Sequence, residues 1–305
     1  MTMKRWIPVL MGWCALIGSY AQAAPVLVDT EWLASRTGDS GVVVVDMTGD
    51  PMQYQRFHLP GAVQLHYDAL VQRRRDGVVL RIEDAQLLRL LGELGIRRDH
   101  HVVIYDDAGG LNAGRLFWEL ERIGHAAVSV LDGGLVKWIL EGRKVENRWV
   151  RPTPQPYQPV AGQGRDNDIA HEALKTVAAE GNAMLLDVRT REEYSGDPRD
   201  PRGGHIPGAR WWPWDATVAF DGRFQRLEAG PLQESLRALG VSDSAQPVVL
   251  YCRTGHRAAQ AYLTLRSLGY ENLKLYDGSM LEYARDAAAP LQRGMTAGGP
   301  GCVSC

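Results

Sequence analysis

The 305-residue chain has 34 Lys+Arg against 36 Asp+Glu, 45% hydrophobic residues and 4 cysteines, with a formal charge of −2. The hydrophobic content excludes a disordered chain. The lack of a basic excess excludes nucleic acid as the main partner, and four cysteines are too few for a disulfide scaffold. The length suits about two domains, each large enough for its own core.

In chain order, Lys4 and Arg5 precede an apolar stretch over residues 6–20, followed by Ala21-Gln22-Ala23. A charged start, a short apolar run and a small-x-small site predict a signal peptide over residues 1–23. The run is shorter than the about 20 residues a membrane span needs. Bulky Trp13 before Cys14 fits lipid attachment poorly, and there is no twin arginine. An exported, periplasmic protein is expected, with no membrane span after signal cleavage. Cleavage removes two basic residues and no acidic one, taking the charge from −2 to −4. It also leaves three cysteines, Cys252, Cys302 and Cys305, so at least one thiol is unpaired.

The remainder reads as one unit repeated. Val42-Val43-Val44-Val45-Asp46 and His58-Leu59-Pro60-Gly61-Ala62 are matched by Met184-Leu185-Leu186-Asp187-Val188 and His205-Ile206-Pro207-Gly208-Ala209. Val102-Val103-Ile104-Tyr105 is matched by Val248-Val249-Leu250-Tyr251, and Leu131-Asp132-Gly133-Gly134 by Tyr276-Asp277-Gly278-Ser279. The order is kept throughout, and one insertion near residues 195–204 accounts for the change of spacing. Leu87, Leu88, Leu91 and Leu94 recur at helical spacing, as do Leu232, Leu236 and Leu239. Leu116, Phe117, Leu120 and Ile123 run into Gly124, and Tyr262, Leu265 and Leu268 into Gly269. Strands alternating with helices predict an α/β fold: two tandem domains, each a mainly parallel sheet with helices on both faces. The divisions are residues 24–150, a Pro-rich linker over 151–165, residues 166–290, and a Gly-rich tail over 291–305 expected to be mobile.

The strand 248–251 ends in Cys252-Arg253-Thr254-Gly255-His256-Arg257, with a helix over 258–268 at once after it. Ligands in open α/β sheets sit at the carboxyl ends of strands. A tight turn into a helix aims backbone N–H groups into one concavity, and Arg253, His256 and Arg257 add positive charge. All of these favour a thiolate over a thiol and the docking of an anion. A merely structural cysteine belongs in apolar surroundings, which this loop does not offer.

These residues resemble the rhodanese superfamily, in particular the two-domain thiosulfate and 3-mercaptopyruvate sulfurtransferases, over nearly all of the mature chain. The likeness rests on Asp187-Val188-Arg189, the His-Ile-Pro-Gly-Ala motif, the loop 252–257 and Tyr276-Asp277-Gly278-Ser279. It implies a catalytic Cys252 that takes sulfur from a small anionic donor as a persulfide and passes it to cyanide or a thiol. No metal or other cofactor is implied. Arg189, Arg253, Thr254, Gly255, His256 and Arg257 are implied in binding the donor. In the first copy Asp106 stands in place of Cys252 and Thr48 in place of Arg189, so that copy is expected to be inert and to pack against the second and shape its cleft. The cationic loop favours thiosulfate; Thr254, where the thiosulfate branch often has lysine, leaves mercaptopyruvate open.

A phosphatase-type loop needs arginine six positions after cysteine, and that position is Ala258. A non-catalytic sulfur carrier or binding module is the alternative from another class, and the intact cysteine loop of the second copy argues against it. The tail pair Cys302-x-x-Cys305 is a candidate sulfur relay reaching the Cys252 cleft, and a thiol-redox protein is a candidate partner. A local disulfide between them is the plainer expectation.

Overall fold

A computed structural model of the chain describes residues 24–295. The expected signal peptide and Cys14, Cys302 and Cys305 lie outside the described residues. The first copy runs β1 (Leu27–Val28), α1 (Thr30–Ala34), β2 (Val42–Asp46), α2 (Pro51–Arg56), β3 (Val63–Gln64), β4 (Val71–Arg73), β5 (Val79–Arg81), α3 (Asp84–Glu93), β6 (His101–Tyr105), α4 (Ala113–Arg122), β7 (Ala127–Leu131) and α5 (Gly134–Leu140). The second runs α6 (His171–Glu180), β8 (Met184–Asp187), α7 (Arg191–Ser195), β9 (Arg210–Trp211), α8 (Ala229–Ala238), β10 (Val248–Tyr251), α9 (His256–Ser267), β11 (Leu273–Leu275) and α10 (Ser279–Tyr283). Short 3-10 turns, Tyr67–Leu70 and Trp214–Thr217, follow β3 and β9.

Both sheets are parallel, as apolar runs buried on two faces require. Their orders are β1-β7-β6-β2-β3 and β11-β10-β8-β9, and a bridge from Asp168 to Leu275 stands where the second copy lacks an edge strand. The register sets Asp46 beside Tyr105 and Asp187 beside Tyr251, so equivalent loops leave equivalent strand ends. Each copy builds its His-x-Pro-Gly-Ala motif alike. His58 stacks on Tyr54 at 3.9 Å and His205 on Tyr194 at 3.7 Å, while the tyrosine hydroxyls donate to the carbonyls of Ala62 and Ala209. The motif histidines are therefore structural pins of the loops that follow β2 and β8.

The two copies share a core. α4 and α9 cross at Gly114, where an added Cβ would lie 2.8 Å from the carbonyl oxygen of Ala259. One apolar cluster runs from Val45, Ile104 and Leu116 through to Leu250, Ala258 and Leu265. The Pro-rich connection has no regular structure, yet Tyr157 is buried, with its hydroxyl against His125 Nδ1 at 2.8 Å. The tail expected to be mobile from residue 291 is held as far as it is described. Gln292 pairs with His205 in both directions at 2.9 Å and Gly294 N–H donates to the Ser195 carbonyl at 2.8 Å, which satisfies backbone groups that would otherwise need water.

Each copy also extends an arm over the other. Arg81 N–H, at the end of the β4–β5 hairpin, donates to Asp277 at 2.5 Å; Arg226 N–H, at the end of the matching second-copy segment, donates to Asp132 at 2.8 Å. The aspartates of the two Asp-Gly motifs are thus gripped reciprocally.

Candidate active site

Cys252 is the first residue past β10, and its carbonyl accepts from Met280 N–H at 3.0 Å. Gly255, at φ +79°, turns the chain into α9; a Cβ there would come within 2.4 Å of Asp277 Oδ1. Only glycine fits this turn. Thr254 N–H points at Cys252 Sγ, 3.4 Å away. His256, Arg257 and Ala258 open α9, so their amides have no acceptor within the helix. The loop thus sets the Thr254 amide on the sulfur and the free amides of the α9 start next to it in sequence.

Ser279 braces this loop. Its Oγ accepts from Cys252 N–H and Gly255 N–H, both at 3.1 Å, and donates to the Tyr276 carbonyl at 2.8 Å. It does so at φ +49°, where the first copy has Gly134 at φ +50°.

The first copy shows the same cradle filled by its own side chain. The Asp106 carboxylate accepts from the amides of Ala108, Gly110, Asn112 and Ala113 at 2.8–3.0 Å. Burial pushes its carboxyl upward, and the four amides work against that. Thr48, in place of Arg189, donates to Asp46 at 2.7 Å.

The charges at the loop differ from the simple count of three cations. Arg257 is bound in a fork to Glu193 at 2.6 and 2.9 Å, and Glu193 is set by its capping box with Thr190. His256 donates from Nε2 to Asn112 Oδ1 at 2.8 Å, and burial, with Arg115 and Arg257 beside it, holds its imidazole down at about 4. His256 is therefore neutral at pH 7, which corrects its expected part in the cationic loop. Arg253 is exposed, with no side-chain partner among the described residues. Arg189 is 6% exposed, forked onto Asp187 at 2.6–3.1 Å and bonded to the Gly204 carbonyl at 2.7 Å, leaving Nη1 without a described partner.

Arg189 and Arg253 line one cleft of about 440 Å³ together with Glu193, Asp197, Asp200 and Met280. The insertion at residues 195–204 forms its outer wall, and the described tail ends there at Met295. Cys252 itself is fully buried and joins the shared core on one side. That burial runs against the open loop expected from the sequence. The sulfur's surroundings are nevertheless polar, with amides, Ser279 and Arg257 around it.

Sequence reading gave no role to Ser279, Tyr67 or Arg115. Ser279 was signalled by its replacement of Gly134 in an otherwise matching motif. Tyr67 aligns with Trp214, the opening residue of the equivalent 3-10 turn, but a sequence does not say that the two arms cross. Arg115 is fully buried in α4 and binds Asp277 at 2.5 and 3.2 Å across the domain boundary.

The chain is similar to known proteins over most of its length. The rhodanese-like domain family matches residues 29–141 and again 170–286. The thiosulfate sulfurtransferase of Corynebacterium glutamicum is 33% identical over 282 residues, covering 88% of this chain and 90% of that protein. The sulfur carrier protein TtuD of Thermus thermophilus is 32% identical over 288 residues, covering 88% and 97%. The anaerobic ergothioneine biosynthesis enzyme from Chlorobium limicola shares the fold at a TM-score of 0.78 and 21% identity, over 89% of this chain and 71% of that one.

Proposed function

This chain belongs to the rhodanese-like family as a sulfurtransferase with two tandem copies of the domain, and from that premise we propose that Cys252 carries sulfur from thiosulfate to a thiophilic acceptor. The Cys252 thiolate attacks the outer sulfur of thiosulfate. The S–S bond of the donor breaks, sulfite leaves with the electron pair, and Cys252–S–S⁻ remains. Cyanide then takes the outer sulfur as thiocyanate, or a thiolate takes it as a persulfide, and the Cys252 thiolate returns. The amides that open α9 and Thr254 N–H stabilise the negative outer sulfur, as in other anion sites at helix N-termini. Arg253 and Nη1 of Arg189 meet the departing sulfite.

The observation that carries this reading is the contrast between equivalent strand ends: four amides close on the Asp106 carboxylate in one copy, and in the other a cysteine stands in that place with the Thr254 amide on its sulfur. Thiosulfate is favoured over mercaptopyruvate by the named activity of the Corynebacterium relative, now that His256 and Arg257 no longer count as free charges. Mass spectrometry on protein incubated with either donor tests it. A gain of one sulfur that cyanide removes, absent in Cys252→Ser, is expected with thiosulfate. A greater gain with mercaptopyruvate reverses the donor assignment, and no gain with either sinks the enzyme reading.

A carrier role, handing the persulfide to another protein, is the second reading, favoured by the name of the Thermus relative. Export to the periplasm belongs to this proposal on the residues 1–23 alone. So does a relay through Cys302 and Cys305. Gly294 is fixed to Ser195 on the cleft wall, and the seven steps from Met295 to Cys302 span up to about 25 Å when extended. Truncation after residue 297 is expected to slow discharge by a dithiol and leave discharge by cyanide unchanged; equal rates would exclude the relay.

A further inference from the structure

The first copy lacks the nucleophile, yet it places one side chain at the second copy's loop. Tyr67 opens the 3-10 turn after β3, and its ring lies 3.9 Å from the ring of His256 at 31°. His256 is held from the other side by Asn112, whose amide nitrogen is bonded to the Met47 carbonyl at 2.9 Å. The tyrosine ring is thus seated on a fixed platform at the start of α9, with Cys252 in electrostatic reach.

Its hydroxyl is buried and has no hydrogen-bond partner among the described residues. Buried phenols normally find one, so an orphan in a site marks a place where a ligand completes the bond. The groups in electrostatic reach are Arg115, Asp277, Cys252 and Asp68. Arg115 and Asp277 are already committed to each other, and Thr254 N–H already points at the sulfur. Burial above all pushes the phenol well above its ordinary value, so it stays a neutral donor through the working pH range.

We propose that the Tyr67 hydroxyl, delivered by the catalytically silent copy, donates to a sulfonate oxygen of the thiosulfate bound at Cys252 and so sets donor affinity and orientation. This rests on the sulfurtransferase reading above. In the loading half-reaction the sulfonate oxygens carry charge next to the breaking S–S bond, and the hydroxyl supplies a hydrogen bond there that needs no free cation. In the discharge half-reaction no sulfonate is present, so Tyr67 has no part in it.

Tyr67→Phe keeps the ring on His256 and deletes only the oxygen. Loading of Cys252 is followed by mass against thiosulfate concentration, and discharge by thiocyanate release from preloaded protein. The expected result is a loading rate constant (kcat/KM type) lowered about tenfold or more, as for a lost bond to a charged group, with discharge by cyanide within about twofold of the parent. Loading by a donor that lacks a sulfonate, such as a small organic hydropersulfide whose outer sulfur passes to Cys252 as the thiolate leaves, is expected to be unaffected. Unchanged loading overturns the inference. Equal slowing of loading and discharge, or of both donors, also overturns it, because that pattern reports loosened packing of the arm. If the parent protein gains no sulfur from thiosulfate, the underlying reading fails and the inference falls with it, an outcome visible before any variant is compared.

Discussion

Ser279 holds a left-handed backbone angle that costs a non-glycine residue about 1–2 kcal/mol, and it does so only in the copy with the cysteine. What offsets the strain is its Oγ, the shared acceptor for two amides of the loop. Ser279→Ala keeps the strain and strands both amides. We expect a loss of about 2–3 kcal/mol in urea unfolding, with slower sulfur loading. Ser279→Gly is expected to recover part of the stability and none of the loading rate. If the two variants load sulfur at the parent's rate, the brace is not what shapes the loop. Cys252 itself was legible from the strand-cysteine-turn-helix order. Its complete burial was not, because the cover comes from residues distant in sequence.

At the scale of elements, the repeat announced both sheets, the helices and their glycine stops, because apolar periodicity is a local property. The crossing of α4 on α9 was hidden, since it depends on Gly114 facing Ala259 from the other copy. So was the Arg115–Asp277 pair, which ties α4 to the turn before α10 and lies 2.4–3.2 Å from where a Gly255 side chain would begin. Both charges are buried, and removing Arg115 leaves Asp277 without its counter-charge. Arg115→Ala is therefore expected to cost about 3–5 kcal/mol, and Arg115→Met with Asp277→Asn much less, by chemical denaturation. Equal losses in the single and double variants would mean that shape, not charge, decides this contact.

For the whole molecule, two neutral imidazoles sit at the boundary between copies. Burial holds both His125 and His256 down at about 4, against about 6.5 in an unfolded chain. Between those values the unfolded state binds more protons, so stability rises with pH in that window and is lost as pH falls through it. Burial refuses the charged form of His125, although its bond to the His100 carbonyl works the other way. The Tm is expected to fall steadily from pH 7 to about 4.5, and less steeply in His125→Gln. A Tm that rises on acidification over that range contradicts the assignment.

The two cradles also differ in when their charge is present. Asp106 keeps the first one occupied for the life of the protein, since its guest is part of the chain. The second gains its outer negative sulfur only on loading, and between turnovers it holds the Cys252 sulfur alone. Sulfur loading should then act as a bound ligand does, raising the melting temperature of the whole two-copy body through the shared α4–α9 core. On this view the enzyme reports its own cargo as stiffness, and differential scanning calorimetry of loaded and cyanide-stripped protein would read it.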